Sequence, residues 1–472
     1  MLTRITLALL VVFATYSCQS QEEQKQDCSF SSQIQITYDE CGIVEVPNDY
    51  NDPSKGTTSL AYIVIKSKSP NRKPDPVVFI QGGPGGNVLP LAGAYSGLNI
   101  DRDRDFILYD QRGIGFSDEI CPGLNLGILS VMAMDLSVEE EFEELQKQIK
   151  GCENALAKDA TRFSTDVNAK DLDALRAHLG YEQLNLFGGS YGTRLGLEYM
   201  RQFPNRVRSS VLSSVFGPNT RMYDNLLTNF HNSVKKMFKD CKADTNCNTN
   251  YPNLEDDFYA VYNSLDKNPV KLSANGADFM INSQDFLFII HQLMYNQITI
   301  AQVPPLIKNM KANDYTNLQN AVNAFLFRMG VINLAVYWSI MQSDESRYNN
   351  YKKLDKDAKR NPKLKSGLSL FSLDLDVYEE WPEMDKNAQE LVPVRSDIPT
   401  LLISGDYDPI TPPENAEGVA KYLKNSQNIV FKNGGHVPVN GCFFGMAKAF
   451  LDNPNSPVDS SCSNTSIRIN WN

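Results

Sequence analysis

Residues 184–196 read Leu184-Asn185-Leu186-Phe187-Gly188-Gly189-Ser190-Tyr191-Gly192-Thr193-Arg194-Leu195-Gly196. A mostly apolar run of strand length, 184–187, meets a turn of glycines and one serine, and a helical pattern follows over 191–203. The centre of the turn, Gly188 to Gly192, is a G-x-S-x-G. Alone, that pentapeptide is a weak signal that arises by chance. Between a strand and a helix it is what a sharp turn needs in order to lift a serine hydroxyl clear of a strand end. The flanking glycines leave room for close backbone approach, and the serine occupies a strained turn. The plainer alternative is a glycine-rich strand-to-helix turn with a bystander serine, and the residues further along the chain weigh against it.

Working outward, short apolar runs recur at 60–65, 77–80, 106–109, 210–215, 400–403 and 428–431. Several are almost wholly apolar, as expected of parallel strands buried on both faces. Between them lie helical patterns. Residues 168–179 put Leu172, Leu175 and Leu179 on one face and end at Gly180, a suitable C-terminal stop. Strand and helix in alternation predict an α/β domain around a parallel sheet. From 219 to 386 the pattern is mostly helical, as at 285–295 and 318–327, and the lysine-rich stretch 351–365 reads as a solvated loop or surface helix. The simplest account is a helical insertion forming a cap over the site. The expected divisions are a leader 1–17, a tether 18–27, a first core part 28–218, the cap 219–386 and a second core part 387–472.

Two further strand ends carry chemistry. Ser404-Gly405-Asp406-Tyr407-Asp408-Pro409 follows the run 400–403, and Gly434-Gly435-His436 follows the run 428–431. Serine, acid and histidine thus occur in the order that this strand–turn–helix arrangement uses. A serine hydroxyl is a poor nucleophile until a base takes its proton. His436 would take that proton and return it to the leaving group, and Asp408 would hold the imidazole in the right tautomer. Asp406 competes for the acid role; Asp408 is preferred because it stands further beyond the strand end. His178 falls on the polar face of its helix, while His231 and His291 fall in the insertion, and all three read as structural.

A glycine-rich turn, Gln81-Gly82-Gly83-Pro84-Gly85-Gly86, follows the run 77–80 and could aim a backbone N–H at a developing oxyanion. A second donor would be the N–H of Tyr191, the residue after the serine. A phosphate-cradling loop is the other reading, but no Gly-Lys-Ser/Thr follows. Asp110 and Arg112, bounded by Gly113 and Gly115, would brace the glycine turn. Arg112 as a substrate clamp is the alternative.

The chain of 472 residues carries a net charge of -11 and 42% apolar residues. An acidic chain has no basic excess to neutralise phosphates, so no nucleic-acid partner is expected. Arg4 followed by the apolar run 5–14 has the form of an export signal and is too short to span a bilayer. The stretch Thr15-Tyr16-Ser17-Cys18 resembles a bacterial lipoprotein processing site, which would make Cys18 the lipidated terminus of an exported protein. Ordinary signal cleavage is the alternative. The eight other cysteines fall into sequence-local pairs, Cys28–Cys41, Cys121–Cys152, Cys241–Cys247 and Cys442–Cys462. Four disulfides suit an oxidising compartment. Neither a metal nor a cofactor is expected, and no membrane contact beyond the lipid anchor.

Taken together, these motifs resemble the proline iminopeptidase and tripeptidyl-aminopeptidase branch of the α/β-hydrolases. The matching elements are Gly82 to Gly86, Asp110-Gln111-Arg112-Gly113 with Gly115 and Ser117, Asp171 to Arg176, Gly188 to Arg194, Asp408 to Pro412, and Gly435-His436. The resemblance runs from about Cys41 to Cys462. It implies an α/β-hydrolase core, a mostly parallel sheet and a largely helical cap inserted between the nucleophile and acid segments. It also implies cleavage of short peptides from a free N-terminus through an acyl-enzyme without a metal, and it assigns the other oxyanion donor to Gly83. Such enzymes hold the substrate's amino group with acidic cap side chains, for which Asp344 and Glu345 are the candidates. Two departures stand out. The glycine loop begins with Gln81 where the family often has His, and no cysteine pair occurs near 340–344 and 378–381. An esterase or amidase on small acyl substrates would use the same machinery. A non-catalytic binding lipoprotein would have no need of Ser190, Asp408 and His436 together.

Overall fold

The near-continuous apolar runs can be satisfied only with both faces covered, and they become neighbours in one sheet. The computed structural model describes residues 28–134, 136, 138–156, 162–345, 351–364, 377, 381, 384 and 391–471. The expected leader, the tether with Cys18, and the junction between 386 and 387 lie outside these residues. The strands are β1 (Glu40–Pro47), β2 (Thr57–Ile65), β3 (Val77–Ile80), β4 (Phe106–Tyr109), β5 (Leu184–Gly189), β6 (Val207–Ser213), β7 (Val270–Ala274), β8 (Ala277–Ile281), β9 (Thr400–Gly405) and β10 (Ser426–Phe431).

Eight of them form a single sheet in the order β1-β2-β4-β3-β5-β6-β9-β10. The pairings from β4 across to β10 are parallel, and β2 runs antiparallel to both β1 and β4. Every residue of β3, β4, β5 and β9 is buried. Side chains alternate between two cores. Leu186 joins Leu172, Leu175, Leu195 and Tyr199 on one face, and Phe187 joins Phe443, Met446 and Phe450 on the other. The helices Thr165–His178 and Tyr191–Gln202 therefore cover one face, and Gly441–Asp452 covers the opposite one. The first of these starts at Ser164, whose hydroxyl accepts from Val167 N–H (3.2 Å), and stops before Gly180, at φ +73°.

After β6 the chain leaves the sheet, returning at β9. The excursion contains the helices Leu226–Ala243, Leu254–Leu265, Ser283–Leu293, Val303–Lys311, Thr316–Met329 and Leu334–Asp344. It is not helical throughout, because β7 and β8 form a two-stranded antiparallel hairpin within it. Helix Leu124–Met132, from the earlier part of the chain, packs onto this layer. Its Asn125 amide donates to the carbonyls of Met329 (3.0 Å) and Ile332, and its Oδ1 accepts from Leu334 N–H (3.1 Å). The lysine-rich stretch forms the helix Tyr351–Arg360, which buries Asp357 against Leu227 N–H (2.8 Å). All four expected cysteine pairs are bonded as disulfides. No helix among the described residues is long and apolar enough to cross a membrane.

Candidate active site

Strand β5 ends at Gly189, and the next residue starts the helix Tyr191–Gln202. To make that turn without a loop, Ser190 takes φ +55° and ψ −126°, a conformation non-glycine residues rarely adopt. Its N–H donates to Ser213 O at the end of β6 (3.0 Å), and its carbonyl accepts from Thr193 N–H (2.9 Å) and Thr193 Oγ1 (2.6 Å). A Cβ at Gly192 would collide with the carbonyl of Ile80, and one at Gly188 with that of Gly192. These two glycines are required by space. Gly189 is not, since a Cβ there would stand 3.5 Å from Val437.

The acid and the base meet across the ends of β9 and β10. His436 Nδ1 lies 2.8 Å from Asp408 Oδ2. The other carboxylate oxygen of Asp408 accepts from the N–H groups of Ile410 (3.0 Å) and Thr411 (2.9 Å), and Thr411 Oγ1 donates to Oδ2 (2.7 Å). Burial pushes this carboxyl up, but the His436 charge and hydrogen bond and the Thr411 donors outweigh it, so Asp408 sits below the ordinary carboxylate range. With the Nδ1 proton directed at Asp408, Nε2 is the nitrogen left to act on a hydroxyl. Asp406 points elsewhere. It pairs with Lys236 (3.3 Å) and accepts from Asn433 N–H (2.7 Å), and burial raises its pKa. The histidine loop lies against the serine turn, because Val437 N–H donates to Ser214 Oγ (2.7 Å), one residue beyond the carbonyl that receives Ser190 N–H.

The glycine turn faces the same point. Gly83 has φ +117° and precedes a cis Pro84. A Cβ at Gly82 would crowd Gly189 O (2.8 Å) and the Ser190 Cβ (2.9 Å), so the two turns touch. Tyr191 is the first residue of its helix, so its N–H has no acceptor within the helix and stands at the positive end of the macrodipole. Gln81 supports the turn from behind. Its Oε1 accepts from Gly82 N–H (3.0 Å), its Nε2 bonds Tyr95 OH, and its carbonyl accepts from Gln111 Nε2 (3.0 Å).

Asp110 and Arg112 are braces. The carboxylate of Asp110 accepts from the N–H groups of Val88 (2.7 Å), Leu89 (2.9 Å) and Phe116 (2.9 Å), while burial lifts its pKa to about 6. Arg112 is fully buried, makes a two-point bond to Asp171 (2.6 and 2.5 Å) and binds the carbonyls of Pro47, Asn48 and Arg162. It cannot clamp a substrate. His231 sits between Asn361 (2.8 Å) and Tyr259 (2.7 Å), and His291 is buried and depressed to about 3, chiefly by desolvation.

Ser190, Gly83, Tyr191 and Asp408 line one cavity of about 810 Å³, closed on the cap side by Asn225, Asn229 and neighbouring residues. Asp344 and Glu345, the candidates for receiving a substrate amino group, are not among the residues that line it. Both are buried against Arg194, Glu345 at 2.6 Å and Asp344 at 3.5 Å, and Asp344 also accepts from Thr165 Oγ1. A buried guanidinium needs carboxylate partners, and Arg194, in the elbow helix, takes both. Several supporting residues were not singled out from sequence. Thr411 and Ser214 hold the acid and the histidine loop; Thr411 lies inside the matched element Asp408 to Pro412 but was given no role there, and Ser214 belongs to no pattern that could have marked it. The cap's Tyr295 also touches the histidine, with its ring centre 4.8 Å from that of His436.

Sheet, elbow and inserted cap define an α/β-hydrolase. The family profile described as the alpha/beta hydrolase fold matches residues 75–254, and that of the TAP-like protein matches 374–462. The serine protease Hip1 of Mycobacterium tuberculosis is 26% identical over 428 residues, covering 82% of this chain and 79% of that one. The tripeptidyl aminopeptidase of Streptomyces lividans is 31% identical over 191 residues, which is 38% of this chain and 36% of that one. Among solved structures, the α/β hydrolase MGS-M2 from a deep-sea metagenome overlays with a TM-score of 0.41 at 13% identity, covering 86% of this chain and 97% of that one. This chain belongs to the α/β-hydrolase family, among relatives that are serine proteases and aminopeptidases, and it is a serine hydrolase.

Proposed function

We propose that this protein is an exported peptidase that removes short peptides from the free N-terminus of its substrates, with Ser190 as nucleophile, His436 as base and acid, and Asp408 as the orienting carboxylate. The observation that carries the reading is the 2.8 Å bond between His436 and a buried Asp408 on the cavity where Ser190 stands at a strained elbow. His436 Nε2 takes the Ser190 proton as Oγ bonds to the scissile carbonyl carbon. The N–H groups of Gly83 and Tyr191 receive the oxyanion. As the carbonyl reforms, the C–N bond breaks and the proton passes from His436 to the departing amine. Water, deprotonated by the same histidine, then releases the acyl peptide and restores Ser190.

Peptide substrates and N-terminal specificity are supported by the relatives' activities, and the cavity has room for more than one residue. Export is supported by four disulfides. We place the lipid on Cys18, and labelled palmitate that persists in Cys18→Ala would rule that out. The deciding experiment combines fluorophosphonate labelling with a panel of aminoacyl, dipeptidyl and tripeptidyl anilides and simple aryl esters. Labelling of Ser190, and turnover of free-amine peptides that N-acetylation abolishes, are the expected results. Folded protein that does not label is not a serine hydrolase of this mechanism. Hydrolysis of esters alone would make it an esterase.

A further inference from the structure

The catalytic histidine does not rest on the hydrolase core alone. The cap residue Tyr295 accepts the backbone N–H of His436 on its carbonyl (2.7 Å). The same carbonyl occupies the space where a Cβ at position 435 would be, so Gly435 is required for the approach. The Tyr295 ring also lies against the imidazole, with centroids 4.8 Å apart and planes at 58°. On the Tyr295 ring stacks the guanidinium of Arg328, 3.8 Å from its centre. Arg328 is half-buried in the last turn of the helix Thr316–Met329, and its guanidinium makes no ion pair or hydrogen bond among the described residues. A cation held so close to an aromatic face without a carboxylate is expected to act on its surroundings. Its positive charge is felt at the buried His291, where it adds to desolvation in keeping that ring neutral.

We propose that Tyr295 is a positioning residue for His436, its carbonyl fixing the backbone and its ring bracing the imidazole. The groups facing His436 are Asp408 and Thr411 from the β9 loop and Tyr295, with His291 and Arg328 from the cap behind it. The backbone at 436 is thus bonded to the cap, while the imidazole itself is held by Asp408 and Thr411 of the core.

The inference rests on His436 being the general base, which His436→Ala tests by itself. Tyr295→Ala should lower kcat on the order of 10–100-fold, the scale of a small misplacement of a catalytic group, with little change in KM. Both variants keep the backbone carbonyl, so Tyr295→Phe, which restores the ring, should recover most of that loss. Gly435→Ala, read by fluorophosphonate labelling rate, gives a second route to the same contact and should label slowly. Folded Tyr295→Ala with wild-type kcat would overturn the positioning role. An active His436→Ala would instead overturn the assignment of the base.

Discussion

Two aspartates stand two positions apart after β9, and the loop sends them to different partners. Asp408 reaches His436, and Asp406 turns back to Lys236 and Asn433. Asp408→Asn should therefore cost about 10⁴-fold in kcat, as loss of the tautomer-fixing carboxylate does elsewhere, while Asp406→Asn should spare most of it. The two also differ in how they couple to pH. The pKa of Asp408 is lowered on folding, so its stabilisation is present above the unfolded value and lost as pH falls through the folded one. Melting temperatures of Asp408→Asn should thus lose part of the wild-type decline below about pH 4. Asp406, raised by burial, has the opposite sign, its stabilisation being lost as pH rises. Ser190→Ala should abolish turnover yet melt close to the wild type, because no side-chain bond of Ser190 caps the helix. At this scale the sequence was readable where chemistry repeats in order along the chain, as for Ser190, Asp408 and His436. It gave no sign that Asp344 and Glu345 pair with Arg194, because an acidic pair shows nothing of an arginine 150 residues away.

At the level of elements, the buried strands announced themselves through apolar runs, and β3 and β4 begin and end where those runs do. The misses have physical reasons. Strand β1, Glu-Cys-Gly-Ile-Val-Glu-Val-Pro, is an edge strand that exposes or half-exposes alternate residues, so it lacks a continuous apolar run. The hairpin β7–β8 carried a usable sign that the helical reading passed over. Asn275-Gly276 sits between two short alternating runs, and both residues adopt positive φ, +49° and +81°. The elbow offers a sharp contrast within one motif. Gly192→Ala should destabilise the fold by several kcal/mol or displace the serine, since the carbonyl of Ile80 fills the space. Gly189→Ala meets only an ordinary contact and should remain folded, as thermal denaturation of the pair would reveal. Arg112→Gln leaves Asp171 charged and buried, and should cost about 3–5 kcal/mol in the same measurement.

Across the molecule, contacts join parts of the chain that no local pattern connects. The disulfide Cys121–Cys152 closes a 31-residue separation around the helices Leu124–Met132 and Val138–Leu156, and removing it should lower stability by about 3–4 kcal/mol on the loop-entropy model. The inserted layer also reaches the glycine turn. Asn333 N–H donates to Gly85 O (2.8 Å), Asn87 N–H donates to Val331 O (2.9 Å), and the Asn333 carbonyl occupies the place of a Cβ at Gly85. Hydropathy could mark the insertion, but not that it would be tied to two of the loops it covers. This gives the cap a standing different from that of an exchangeable module. A chimera that grafted a foreign cap onto this sheet in pursuit of new specificity would have to reproduce a carbonyl over Gly435 and a bridging segment beside Gly85 before any choice of pocket residue mattered.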